Sequence, residues 1–297
     1  MSVSDGVALA ASLAVVVLAW WPVRLALAHR AERAFERSHP VGKSGVIPGA
    51  EPIVLRGTRA GAVLLLHGYN DSPQAVSSLA SALHDAGWTV YAPLLPGHGR
   101  TLQAFAASGA DAWLGAARTA YAELKSRHEA VAVCGLSMGG ALATIVAAEH
   151  PEARALVGIA PYLHVPAMMR ALLVFGPVAA VGARYLRGGG GRSIHDPDAA
   201  ARIIAYRAST PRLARELARV AHLAATTLPR VRQPTLFIQS REDNRIPSRA
   251  TEQAFAAVGA SDKSLLWVEG AGHVITVDYG HERVERDVVQ WLSNRLP

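Results

Sequence analysis

Residues 130–150 read AVAVCGLSMGGALATIVAAEH. Its first five residues are apolar and β-prone, and from Gly139 to His150 an alanine-rich stretch has the composition of a helix. Between them Gly135-Leu136-Ser137-Met138-Gly139 places the pattern G-x-S-x-G at a strand-to-helix junction, the setting a nucleophile elbow requires. A serine at so sharp a turn is held in a strained backbone conformation, and only small residues two positions away leave room for it. The strain aims Ser137 Oγ outward, and the near-continuous apolar run before it belongs to a strand covered on both faces.

The same alternation extends in both directions. Short β-prone runs fall at 62–66, 88–92, 130–134, 155–160, 235–239 and 264–268. Helical stretches fall between or after them, at 73–86 with Asp71 and Ser72 as caps, 111–127, 139–150 and 281–295. Strand, helix, strand in repetition predicts an α/β fold: a mostly parallel central sheet with helices on both faces. One interruption stands out: about residues 162–232 carry no strand signal and predict a helical cap insertion. Its front part, 168–186, is almost wholly apolar; four glycines follow at 188–191, and 196–231 is rich in Ala and Arg.

At 297 residues and 51% hydrophobic, the chain is long enough for a full core and is not disordered as a whole. The single cysteine, Cys134, cannot form an internal disulfide and reads as a small buried hydrophobe. The net charge is +7, but residues 161–233 alone hold eleven arginines against Asp196, Asp198 and Glu216, a local +8. No nucleic-acid motif or aromatic interleaving accompanies these arginines, which excludes nucleic acid as the partner and leaves an anionic membrane surface for the basic cap.

A second membrane signal lies at the N-terminus. Residues 7–23 are 17 without a charge, ending in Trp20-Trp21-Pro22, barely long enough to span a bilayer. Ala26-Leu27-Ala28 resembles a signal-peptidase site, yet the preceding region holds Asp5 and no Lys or Arg, which favours an uncleaved transmembrane helix. Arg24, Arg30, Arg33 and Arg37 follow the span and predict a single-pass anchor with the catalytic domain in the cytoplasm. The expected organisation is an anchor and basic flank at 1–37, a Pro/Gly-rich linker at 38–52, and one domain at 53–297.

A serine hydroxyl is a weak nucleophile at neutral pH, so it needs a base, and the base needs an acid to fix its tautomer. Asp243 lies just past the run 235–239, with Glu242 as its competitor. The run 264–268 leads into Glu269-Gly270-Ala271-Gly272-His273, a glycine-rich loop able to carry a histidine over the sheet edge. His273 is therefore the expected base, and Asp243 the expected acid. His67-Gly68-Tyr69-Asn70 ends an earlier strand, where such a fold takes one oxyanion N–H, the other coming from the residue after the nucleophile. Those donors are Tyr69 and Met138, and His67 reads as a packing residue.

Together these segments resemble the bacterial carboxylesterase and monoacylglycerol lipase branch of the α/β-hydrolases, from about Gly61 to Leu296. His67-Gly68-Tyr69 is similar to that branch's oxyanion turn, Ser108-Gly109-Ala110-Asp111-Ala112-Trp113 to its loop before a long helix, and Gly135 to Gly140 to its elbow. Gly272-His273-Val274-Ile275-Thr276-Val277-Asp278 resembles the segment that carries its catalytic histidine. The N-terminal anchor and the apolar, glycine-linked front of the cap depart from the compact bacterial pattern. The resemblance implies a serine esterase or lipase acting on lipid-like esters, with Ser137, Asp243 and His273 as triad, Tyr69 and Met138 as oxyanion donors, and no metal or organic cofactor. A thioesterase or acyltransferase would use the same triad, and a hydrolase-like ligand sensor would keep it while working by binding.

Overall fold

A computed structural model describes residues 3–166, 169–170, 183–187 and 193–297. The chain begins with helix α1 (Val3–Ser38), which contains the uncharged stretch and runs through Pro22. Among the described residues, no helix is long and apolar enough to cross a membrane. The end of α1 lies against the body of the protein. Ala28, Glu32 and Phe35 form one buried stripe at helical spacing, and Phe35 stacks on Tyr206 at 4.9 Å between ring centroids. Glu32 accepts hydrogen bonds from Tyr185 Oη (2.6 Å) and Gln103 Nε2 (2.8 Å). Val46, Ile47 and Ala50, within the stretch read as a linker, are buried in the same core.

Strands β1 (Ile53–Leu55), β2 (Gly61–Leu66), β3 (Thr89–Ala92), β4 (Ala130–Leu136), β5 (Ala155–Ile159), β8 (Thr235–Ser240) and β9 (Lys263–Val268) form one sheet in the order β1-β3-β2-β4-β5-β8-β9. Only β1 runs antiparallel, along β3; every other pair is parallel, as the alternation predicts. Successive residues of β2 face opposite sides. Leu64 and Leu66 pack with α4 (Ala110–Lys125) and α5 (Met138–Glu149), and Val63 and Leu65 with α2 (Ser77–Asp85) and the last helix, His281–Ser293. Cys134 on β4 is buried, and burial pushes its thiol up to about 12. The helix expected from 73 opens as a 3-10 turn, Pro73–Val76, and Ser72 at its N-cap makes no side-chain cap bond.

The stretch expected as the cap divides in two. Residues 167–168, 171–182 and 188–192, most of its apolar front and its glycine link, lie outside the described residues. The remainder includes a short hairpin of β6 (Leu186–Arg187) and β7 (Ala208–Ser209) with α6 (Pro197–Arg202) between them. Helix α7 (Pro211–Thr227), by contrast, belongs to the body of the fold: Leu213, Leu217, Val220, Ala221 and Ala224 are buried in the cluster that holds α5. Arg212 donates to the carbonyls of Ala106 and Ser108, and Arg219 pairs with Asp111 at 2.9 Å, so two of its arginines fasten α7 to α3 (Leu102–Ala107) and α4. Arg215 is exposed.

Candidate active site

The chain moves from β2 outward to β3 and then back across to β4, so the order reverses between β2 and β4. In an open parallel sheet ligands bind outside the carboxyl ends of the strands at such a switch point. Tyr69 follows β2, and Ser137 follows β4. Asp243 and His273 follow β8 and β9, so four loops bring these residues to one edge.

Ser137 has φ 53° and ψ −115°, a conformation L-residues seldom adopt. Its neighbours must be glycine: a Cβ on Gly135 would lie 2.2 Å from Gly139 O, and one on Gly139 would lie 2.1 Å from Leu66 O. The turn is pinned by Ser137 N–H donating to Ile159 O (2.9 Å) and Ser137 O accepting from Tyr162 N (2.9 Å). Helix α5 follows, buried from Met138 through Ala148, as its apolar composition requires.

The turn places Ser137 Oγ 2.8 Å from His273 Nε2, and His273 Nδ1 lies 2.7 Å from Asp243 Oδ2. All three side chains are withdrawn from solvent, that of Asp243 completely. Asp243 Oδ2 also accepts from Gln239 Nε2 (2.7 Å), and Oδ1 accepts the backbone N–H groups of Arg245 (2.7 Å) and Ile246 (3.0 Å). Burial alone would raise this carboxyl, but His273 and the backbone N–H groups of Arg245 and Ile246 hold it below the ordinary carboxylate value. Glu242 is off this line: its half-exposed carboxylate accepts Gly270 N–H (2.9 Å).

The two expected oxyanion donors stand on either side. Met138 opens α5, where a backbone N–H has no partner within the helix. Tyr69 is buried, its carbonyl lies 2.7 Å from His98 Nε2, and its hydroxyl shares a hydrogen with Ser209 Oγ (2.8 Å). Burial lowers His98 to about 4, so the ring is neutral near pH 7, and donation from Nε2 holds the turn. His67 is a packing residue as expected: fully buried and held neutral by burial, it accepts Leu95 N–H at Nε2 (3.1 Å), and its Nδ1 lies 2.9 Å from Gly68 O.

Asp71, Gln239 and His98 did not emerge from the sequence as site residues. Asp71 is buried beside Ser137: a Cβ on Gly68 would meet both Asp71 Oδ2 and, at 3.6 Å, Ser137 Cβ. Burial pushes its carboxyl up to about 6, against a smaller opposing pull from His273. Gln239 is four residues before Asp243 on β8, and His98 lies far from Tyr69 in sequence, so neither has a motif to announce it. Among the described residues, no three His, Cys, Asp or Glu side chains are grouped to hold a metal.

Comparison with known proteins agrees with this geometry. Residues 57–279 match the family model Hydrolase_4, described as serine aminopeptidase, S33. The chain is 30% identical over 234 residues to a thermostable monoacylglycerol lipase of Bacillus sp. (strain H-257), covering 79% of this chain and 90% of the relative. It is 28% identical to a carboxylesterase of Bacillus subtilis (strain 168), covering 78% and 92%. A solved structure described under LipS and LipT, two metagenome-derived lipolytic enzymes, superposes with TM-score 0.77 at 34% identity, covering 84% of this chain and 100% of the other. The expected fold and branch are thereby shown.

Proposed function

The chain belongs to the serine aminopeptidase, S33, family (Hydrolase_4), a serine hydrolase on the α/β-hydrolase fold, and from that premise we propose that it hydrolyses carboxylic esters of lipid-like acyl chains, monoacylglycerols among them. The observation that carries this reading is the hydrogen-bonded line from Ser137 Oγ through His273 to a carboxylate that also accepts from Gln239 and two backbone N–H groups. In the proposed reaction Ser137 Oγ attacks the ester carbonyl while His273 Nε2 takes its proton. The anionic tetrahedral intermediate is received by the N–H groups of Tyr69 and Met138. His273 then returns the proton to the departing alcohol, and a water activated by the same nitrogen clears the acyl-enzyme. Asp243 keeps the proton of the neutral ring on Nδ1 and steadies the imidazolium.

We further propose that residues 1–37 attach this domain, residues 53–297, to a membrane as a single-pass anchor, with the domain in the cytoplasm. Support comes from the uncharged 7–23 stretch, from exposed Trp20 and Trp21 at its end, and from Arg24, Arg30, Arg33 and Arg37 beyond it. Attachment is assigned to this helix rather than to the cap arginines, because Arg212 and Arg219 are engaged within the fold.

The test of the activity is a panel of acyl esters graded in chain length, with monoacylglycerols and aminoacyl amides alongside, together with labelling by a fluorophosphonate. The reading expects labelling and turnover of esters with a preference for apolar acyl chains. Labelling with almost no ester turnover, or turnover of amides alone, overturns it.

A further inference from the structure

Residues 193–196 lead into α6 within the stretch expected as the cap, and this short limb is tied to the loops that carry both the acid and the base. Ser193 O accepts Val274 N–H (2.9 Å), and Ser193 Oγ accepts from Arg245 Nε (2.9 Å) and donates to Asn244 Oδ1 (3.3 Å). His195 Nδ1 lies 3.0 Å from Gly270 O. At the centre of the joint is Asp278, fully buried. Its Oδ2 accepts the backbone N–H groups of Gly272 (2.7 Å) and His195 (2.8 Å), and its Oδ1 those of Asp196 (2.9 Å) and Tyr279 (2.8 Å).

Among the described residues no lysine or arginine pairs with this carboxylate, so its charge is met by four backbone dipoles. Two come from the chain around the base and two from the cap limb. Hydrogen bonds to an ionised acceptor are shorter and about twice as strong as neutral ones, so the joint is stiff. It also acts close to the chemistry, because Gly272 immediately precedes His273 and the loop between Glu269 and His273 contains two glycines. A flexible backbone of that kind takes its position from whatever holds it.

We propose that Asp278 is a positioning residue that joins the cap segment 193–196 to the histidine loop, so that the seating of this segment sets the approach of His273 Nε2 to Ser137 Oγ. The proposal rests on the reading of Ser137 and His273 as the reacting pair. It gives the cap a part in the rate of the chemical step as well as in substrate binding. A misplacement of about 1 Å between reacting groups costs on the order of 10²-fold in rate, so loosening this joint lowers kcat.

The test uses the full chain and a soluble short-chain ester, with kcat expressed per site titrated by a fluorophosphonate so that unfolded protein does not count. Asp278→Asn replaces one acceptor oxygen by an NH2 facing N–H donors. It is expected to lower kcat per titrated site about tenfold or more, with KM within about twofold. The cap side of the joint is tested separately. Asp196 has φ −67°, which proline also adopts, so Asp196→Pro removes the N–H that meets Asp278 Oδ1, and Asp196→Ala keeps it. The proline variant is expected to fall severalfold below the alanine variant in kcat, and to add no further loss when Asp278 is already asparagine.

Three results overturn the proposal. One is an Asp278→Asn protein with a lower Tm but unchanged kcat per titrated site, the mark of a merely structural carboxylate. Another is strict additivity of the two changes. If Asp278→Asn does not fold, equality of Asp196→Pro and Asp196→Ala overturns it alone. A wild-type chain that the probe does not label strikes down the reading of Ser137 and this inference with it, whereas a labelled wild type with indifferent variants strikes only the inference.

Discussion

At Ser137 the backbone sits at φ 53°, a strain worth on the order of 1–3 kcal/mol, held in place by the absence of side chains at Gly135 and Gly139 and by the bonds to Ile159 and Tyr162. Ser137→Ala leaves that turn intact and removes only Oγ, so probe labelling and ester turnover are expected to vanish together. Asp243→Asn takes away the carboxylate that fixes the Nδ1–H tautomer of His273 and is expected to lower kcat on the order of 10³-fold or more, read by steady-state kinetics on titrated protein. Turnover surviving in Ser137→Ala would end the assignment. Asp71 carries a different consequence. Its carboxyl is raised from 3.8 to about 6 by burial, so the folded state holds a proton that the unfolded chain releases. The stability tied to that proton is fully present below about pH 3.8 and is lost as pH rises through about 6. A difference of that size corresponds to on the order of 3 kcal/mol. Asp71→Asn is therefore expected to gain stability relative to wild type between pH 4 and pH 8 in urea unfolding, and a difference that does not change with pH refutes the argument. The elbow was legible in the sequence because its glycine spacing is a local constraint on the backbone. Asp71, Gln239 and His98 were not, because their roles arise from which side chain reaches a neighbouring loop once the sheet has formed.

Helix α7 shows the same division one scale up. A buried face of Leu213, Leu217, Val220, Ala221 and Ala224 suits a cap helix and a body helix equally, so periodicity alone left it with the cap. What decides is the sheet: β8 enters beside β5, and the chain reaches it after α7 has packed against α5. The parallel strands themselves were legible throughout, because burial on both faces writes continuous apolar runs. Helix α1 departs from expectation in a comparable way. Its charged end reads from sequence as a free basic flank, yet Ala28, Glu32 and Phe35 fall on one stripe and close over Tyr206 and Gln103. Glu32 is acceptable there because both carboxylate oxygens are bonded. Phe35→Ala removes a ring stacked between His39 and Tyr206 and is expected to cost about 3 kcal/mol, the low end for a buried phenylalanine. Thermal unfolding checks this. A Tm equal to wild type means the stripe lies outside the cooperative unit.

For the molecule as a whole, α1 is both a packed element and the proposed attachment, and the two roles use different parts of it. At 1.5 Å per residue the uncharged 17 residues give about 26 Å of helix, close to but short of the roughly 30 Å of a bilayer's hydrocarbon layer. A span so short relies on its flanks, where Trp21 lies under the Arg24 guanidinium at 4.9 Å. Because the same helix continues into the stripe that packs on the domain, the proposed attachment would hold the active site near the lipid instead of leaving it on a slack tether. On that proposal a monoester in the bilayer would meet the enzyme at a raised effective concentration. The full chain is expected to stay with membranes after an alkaline wash, and a reporter at its C-terminus is expected to read cytoplasmic. A chain beginning at Val41 should be released and should lose most of its activity on long-chain monoacylglycerol in vesicles. Per titrated site it should keep much more of its activity on a soluble short-chain ester, a comparison that removes the stability lost with Phe35. Equal losses on the two substrates mean that the helix matters only as packing. An extracytoplasmic reporter means that the arginines after residue 23 do not set the orientation, and a mature chain beginning at His29 means that the segment is a cleaved leader.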